Sequence, residues 1–292
     1  MKPMHPKTIP AFIITAVCAC FCTASLNAAE LPQNIDAALS LIIKTAVYIE
    51  EAPKAEPKPN TNYVQGCRYA KPIPDIADDD TSYDYFFENS VFCGDSLMQG
   101  FQLYCQYVGN NFFNNPTFLA SKSFSLKEAL RPVTESSRHP YYQGQKMLIE
   151  EAIAAANAKR AFLLFGTNDM VGLTPEETKK EYNDLIYRIH KLSPDTKIYV
   201  IGATYIYSSG QKPGFTNENL RKFNDSMYEY CKGFDYLEFI NIGDRLIGAD
   251  DGLKAEYCSD SYVHMTIDGY RVWTKVLRAY AKDFLEIENT SD

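Results

Sequence analysis

Val91-Phe92-Cys93-Gly94-Asp95-Ser96-Leu97 is the stretch on which the reading of this chain turns. Its apolar start, together with Tyr85-Phe86-Phe87 just upstream, reads as a strand, and Leu97 to Val108 reads as a helix. A serine at such a junction carries its hydroxyl to the C-terminal edge of the sheet, where open α/β sheets bind ligands. Its own N–H lies at a helix N-terminus, where an oxyanion can be stabilised. The plainer alternative is a serine that only caps its helix. A nucleophilic serine needs a base to take its proton, and His264, far along the chain, can supply one.

Outward from this stretch, buried strands alternate with helices. Arg160 to Phe165, Lys197 to Ala203 and Tyr236 to Ile242 are continuous apolar runs, as expected for parallel strands covered on both faces. Met147 to Ala158 is an alanine-rich helix. Thr174-Pro175-Glu176-Glu177 carries a cap, a first-turn proline and a capping glutamate, opening a helix to about Leu192. Thr216 to Lys232 and Thr266 to Ile287 are two further helices. The order predicts α/β crossovers and a three-layer α/β/α sandwich with a central, mainly parallel sheet.

The chain has 292 residues, room for one large domain after a leader. Residues 1–29 read as a signal peptide: Lys2 and Lys7, an apolar stretch from Ile9 to Leu26, then Asn27-Ala28-Ala29. An uncleaved anchor is the alternative, and Val17-Cys18-Ala19-Cys20 resembles a lipobox. Export, periplasmic or extracellular, is the expected localisation, and any membrane contact would run through this N-terminus. Residues 30–61 hold an amphipathic helix (Ile35, Ala38, Leu39, Ile42, Ile43, Val47) and a Pro-rich spacer, so the main domain spans 62–292. Five aspartates between Asp75 and Asp84 read as a solvated loop.

A net charge of −8 argues against nucleic acid as a partner. No phosphate-binding glycine loop, C-x-x-C or H-E-x-x-H spacing occurs, so no cofactor or metal is expected. Outside the leader, Cys67, Cys93, Cys105, Cys231 and Cys258 form an odd set that leaves one thiol unpaired in a monomer; Cys93 reads as buried.

In three ordered blocks the chain resembles the SGNH (GDSL-type) hydrolase family of esterases and lipases. Val91 to Leu97 is similar to its nucleophile block, Phe165-Gly166-Thr167-Asn168-Asp169 to its G-x-N-D block, and Asp260 to Thr266 with Gly269-Tyr270 to its histidine block. The resemblance implies a flavodoxin-like SGNH fold and serine ester hydrolysis. It assigns Ser96 as nucleophile, His264 as general base, and Ser96 N–H with the Asn168 amide as oxyanion donors. Gly94, Asp95 and Gly166 are supporting residues, Gly166 through close packing at its strand end, and Asp169 reads as a helix cap or a local hydrogen-bond acceptor rather than a catalytic acid. The sequence departs from the family twice. No glycine follows the second strand in Leu119 to Leu126, where Ser123, or else Ser121, is the positional match for a backbone donor. Ser261 stands where the family places its acid, so either Asp260 serves or a Ser–His dyad operates.

Two other histidines compete with His264. His190 reads as a cation at a helix C-terminus, and His139 as a loop residue near the site, in substrate contact or exposed. Asp268 reads as a first-turn acid of the last helix. Tyr141, Tyr142, Tyr205 and Tyr207 fall in loops where they could stack on sugars or simply pack. The expected activity is an exported esterase removing short acyl groups, acetyl first, from a glycan or other small ester. An O-acyltransferase and a non-catalytic glycan-binding module are the alternatives.

Overall fold

The computed structural model describes residues 80–109 and 112–290. They belong to the compact unit Pro57–Asp292. The stretches expected to be a signal peptide, an amphipathic helix and a Pro-rich spacer, together with Cys67 and Asp75 to Asp79, lie outside the described residues.

Five strands form the main sheet: β1 (Ser90–Gly94), β2 (Thr117–Ala120), β5 (Arg160–Leu164), β6 (Lys197–Ile201) and β7 (Leu237–Ile240). Their order is β2-β1-β5-β6-β7, and every pairing is parallel. A short antiparallel hairpin, β3 (Tyr141–Tyr142) with β4 (Gln145–Lys146), stands apart. It occupies a stretch expected to be loop, because Gln143 and Gly144 both take positive φ and turn the chain back.

Strand residues alternate between two apolar layers. Val91, Cys93, Ala161, Leu163, Ile198 and Val200 face one layer, and Phe92, Phe162, Leu164, Tyr199 and Ile201 face the other. The first layer is closed by α2 (Leu126–Ala129), α3 (Ile149–Ala155), α4 (Pro175–Leu192) and α5 (Asn217–Cys231). The second is closed by α1 (Ser96–Val108) and α6 (Ile267–Thr290). Helices on both faces make this the three-layer α/β/α sandwich, its sheet wholly parallel.

Local signals account for the helix ends. Thr174 and Glu177 form a reciprocal capping box with Pro175 at the first turn of α4. Thr216 caps α5, its side chain accepting from the Asn219 N–H. The second layer is an aromatic ladder built on register: Phe118, Phe92, Phe162 and Tyr199 sit side by side on four adjacent strands, with centroid separations of 5.4, 4.4 and 4.7 Å. Such pairs add about 0.5–1.5 kcal/mol each beyond burial.

Three expectations are corrected here. Tyr85-Phe86-Phe87 is not strand but a 3-10 turn, Asp84–Phe87, and only Ser90–Gly94 is extended, the chain having reversed at Asn89 (φ 54°). That turn places Phe86 and Phe87 in the second layer as plugs. Asp84 is not solvated: it is buried and pairs in bidentate fashion with buried Arg278 of α6, at 2.7 and 2.9 Å. His190 is not a free cation, since its ring stacks flat on Tyr236 at 3.7 Å and burial holds its pKa down. Cys93 is buried as expected, and so are Cys105 and Cys231; with Cys258, all four described cysteines are free thiols.

Removing one partner of a buried ion pair strands the other charge. Asp84→Ala should therefore cost about 3–5 kcal/mol in urea unfolding, far more than an exposed i,i+4 pair such as Glu218–Lys222.

Candidate active site

Gly94 ends β1 opposite Leu164 of β5. A Cβ at Gly94 would lie 2.6 Å from the Leu164 carbonyl oxygen, so only glycine keeps the two strands paired to their last residue. Asp95 and Ser96 therefore leave the sheet beside the segment carrying Gly166 and Asn168. Gly166 has φ 107°, and a Cβ there would meet the Phe223 ring at 2.9 Å.

Asp95, not Ser96, is the N-cap of α1: its Oδ1 accepts from Leu97 N–H at 2.9 Å. The alternative of Ser96 as a mere cap is thereby removed, and its hydroxyl is directed elsewhere. Ser96 Oγ lies 3.0 Å from His264 Nε2, across 168 residues of chain. His264 Nδ1 lies 2.5 Å from Asp260 Oδ2. A proton on Nδ1 donated to that carboxylate leaves Nε2 as an acceptor facing the serine.

The acid stands four residues before the histidine because the loop curls tightly around it. Ser261 takes a left-handed φ of 57° and is exposed. Asp260 Oδ1 accepts from the N–H groups of Tyr262, Val263 and His264 at 2.9, 3.1 and 3.2 Å, which leaves Oδ2 for the imidazole. Partial burial pushes the Asp260 pKa up, but the hydrogen bonds from the His264 ring and these amides prevail and hold it below its usual value. A bond from Tyr207 N–H to Tyr262 O, 2.7 Å, fastens the loop to the segment after β6. Tyr270 anchors α6 to α1, its hydroxyl donating to Leu97 O at 2.9 Å.

On the other side of Ser96, three strand ends are clamped together. Ser121 N–H donates to Gly94 O at 3.2 Å, which commits that amide. Ser123, third in the turn closed by Phe124 N–H on Ser121 O, takes φ 56°, a conformation in which glycine is usual. Among the described residues the N–H groups of Ser123 and Ser96 have no partner, so both are available as donors. Asn168 Nδ2 lies 3.1 Å from Asp95 Oδ2 and 3.1 Å from Phe124 O, and donates to both. Asp169 accepts from Leu126 and Lys127 N–H, at 3.2 and 3.4 Å, and so caps α2. The Asp95 and Phe124 partners of Asn168 escaped the sequence reading, since a backbone carbonyl leaves no trace in residue type.

The competing residues lie elsewhere. His139 is neither exposed nor placed for substrate contact: it is 2% exposed, stands 3.0 Å from Ser137 Oγ and packs edge-on against Phe124. Tyr205 is buried, its hydroxyl donating to Asp244, while Tyr141 is 65% exposed on its hairpin. Asp268 lies in the first turn of α6, paired with Arg271.

Residues 92–272, more than half the chain, match the model of the GDSL-like Lipase/Acylhydrolase family. The chain belongs to this family. No curated protein matches it. A GDSL-like lipase from Bacteroides thetaiotaomicron is similar in structure, with a TM-score of 0.51 and 15% identity over 74% of this chain and 96% of that one. A provisionally named platelet activating factor from Streptococcus pneumonia gives 0.51 and 21% over 69% and 90%. At such identities these two likenesses speak for the fold. The five-stranded parallel sheet is the one expected of GDSL acylhydrolases, and ester hydrolysis is the chemistry of the family.

Within this GDSL frame, burial pushes the Asp95 carboxyl up to about 7, with repulsion from Asp169 adding to it against the Leu97 N–H bond. A carboxyl raised on folding contributes stability that is fully present below its unfolded value, about 4, and is lost as pH rises through about 7. The urea midpoint should therefore fall between pH 4 and pH 8, and Asp95→Asn should flatten that fall. An equally steep fall in the variant would refute the assignment.

Proposed function

We propose that the chain is an exported serine esterase that removes short acyl groups, acetyl first, from a carbohydrate or other small ester through an acyl-enzyme on Ser96. The observation that carries this reading is the contact of 3.0 Å between Ser96 Oγ and His264 Nε2, with the Asp260 carboxylate on the far side of the imidazole. In the proposed sequence, Ser96 Oγ attacks the ester carbonyl while His264 Nε2 takes its proton. The oxyanion is held by Ser96 N–H, Ser123 N–H and the Asn168 amide. Asn168 would release the Phe124 carbonyl to reach the oxyanion and keep its bond to Asp95. His264 then returns the proton to the leaving alkoxide, and the acyl group stays on Ser96. Water, deprotonated by His264, attacks the acyl-enzyme and frees the acid and the serine.

Asp260 supports the imidazolium formed in each half-reaction, so a triad fits better than a dyad with a carbonyl as orienter. The acetyl and carbohydrate parts of the reading rest on the export expected from the leader and on exposed aromatics such as Tyr141. A sugar hydroxyl in place of water would make the same site an O-acyltransferase.

Ser96→Ala and His264→Ala should abolish hydrolysis of p-nitrophenyl acetate while keeping the wild-type unfolding midpoint. Asn168→Ala should lower kcat by about 10²–10³-fold, the usual effect of one lost oxyanion donor. Following both free acetate and transferred acetyl on an acetylated glycan separates esterase from transferase. Unchanged turnover in Ser96→Ala would end the reading.

A further inference from the structure

A groove of about 500 Å³ opens on the rim of the sheet's C-terminal edge, and the mechanism above makes no use of it. One wall is the segment Met170 to Glu176, which begins two residues after Asn168. The other is Pro213-Gly214 with Asn219 and Lys222 of α5. This second wall is tied to the loop of His264: Lys212 Nζ stands 4.9 Å over the Tyr262 ring, and Phe215 meets the same ring edge-on at 6.0 Å. One wall thus starts two residues along the chain from Asn168, and in the other Pro213-Gly214 sits between two residues packed on the histidine loop. Its volume falls in the range of small-ligand sites, about 300–1,000 Å³.

The lining is mixed. Val171 is 58% exposed, and with half-buried Leu173 and exposed Pro213 it offers an apolar strip. Asn219 Nδ2 is committed to Gly214 O at 2.8 Å, which leaves its Oδ1 to accept a hydroxyl. Lys222 Nζ is held 2.7 Å from Glu218 and also feels Glu176, so the cation is balanced and the groove selects no anion. An apolar strip beside a neutral, hydrogen-bonding rim suits the C–H face and hydroxyls of a sugar ring. A long acyl chain would call for an apolar lining throughout.

We infer that this groove is the subsite for the alcohol half of the ester, and that it takes a neutral, acetylated sugar. The inference rests on the esterase reading. His264 must hand its proton to the leaving oxygen, so the alcohol has to depart along the histidine side, the side to which Lys212 and Phe215 tie the Pro213-Gly214 wall.

The test compares three esters: p-nitrophenyl acetate, p-nitrophenyl octanoate and cellobiose octaacetate, a fully acetylated disaccharide. Val171→Arg fills the groove from an exposed position that folding does not need, and Lys222→Gln alters its rim. Val171→Arg should lower kcat/KM on cellobiose octaacetate about tenfold, through KM, and leave both p-nitrophenyl esters within about twofold, as expected for lost ground-state binding remote from the reacting bond. Lys222→Gln should shift the same substrate in the same direction by less. Equal effects on all three esters, no effect on any, or no wild-type turnover of the sugar ester would overturn the subsite while the esterase reading stands. A selective loss on the octanoate would assign the groove to the acyl chain and overturn it too. A wild-type protein inert toward p-nitrophenyl acetate would instead remove the esterase reading, and the subsite with it.

Discussion

The arrangement depends on the approach of Gly94 to the Leu164 carbonyl, where a Cβ would lie 2.6 Å from the oxygen. Because no side chain intervenes, β1 and β5 remain paired to their ends, and the segments leaving them emerge as neighbours. The bond from Asn168 to Asp95 spans that junction at 3.1 Å, joining two residues that are 73 apart in sequence. The strand order also changes direction here, with β2 on one side of β1 and β5 to β7 on the other. Chains in such sheets diverge at this point and leave a crevice. Ser96 stands at its mouth.

Polar groups inside this region are costly, and their partners show how the cost is contained. Asp95 and Asp169 are both buried carboxylates, and burial raises the pKa of each. Backbone N–H groups of Leu97, Leu126 and Lys127 and the Asn168 amide supply their hydrogen bonds. The Asp84–Arg278 pair plays the same part at a distance, fixing α6 against the turn before β1. With Tyr270 bonded to Leu97 O, α6 is held against α1, and the loop just ahead of α6 brings His264 to Ser96. Stability sacrificed to buried charge is thus concentrated where loops must be positioned.

Much of this was legible because the decisive signals are local. The capping box at Thr174, the runs of the buried strands, and the strand-to-helix junction at Ser96 depend on neighbours in sequence and appear where expected. The place of His264 was legible because it precedes a strongly periodic helix. What escaped reading depends on tertiary contacts. Tyr85-Phe86-Phe87 has strand composition, yet two of its rings are drawn into the aromatic layer and the backbone follows as a turn. Asp84 sits in an acidic run, and nothing nearby foretells Arg278. His190 looked like a terminal cation until Tyr236 covered it. The left-handed turns at Ser123 and Ser261 place the departures from the family pattern where backbone conformation, not residue type, does the positioning.

The account stands on a nucleophilic hydroxyl at residue 96. Its most direct measurement is peptide mapping by mass spectrometry after reaction with a fluorophosphonate, which phosphonylates a serine that an imidazole has activated. A single adduct on the peptide carrying Ser96, lost in His264→Ala, is the predicted result. An unlabelled protein, or an adduct on another serine, would contradict it.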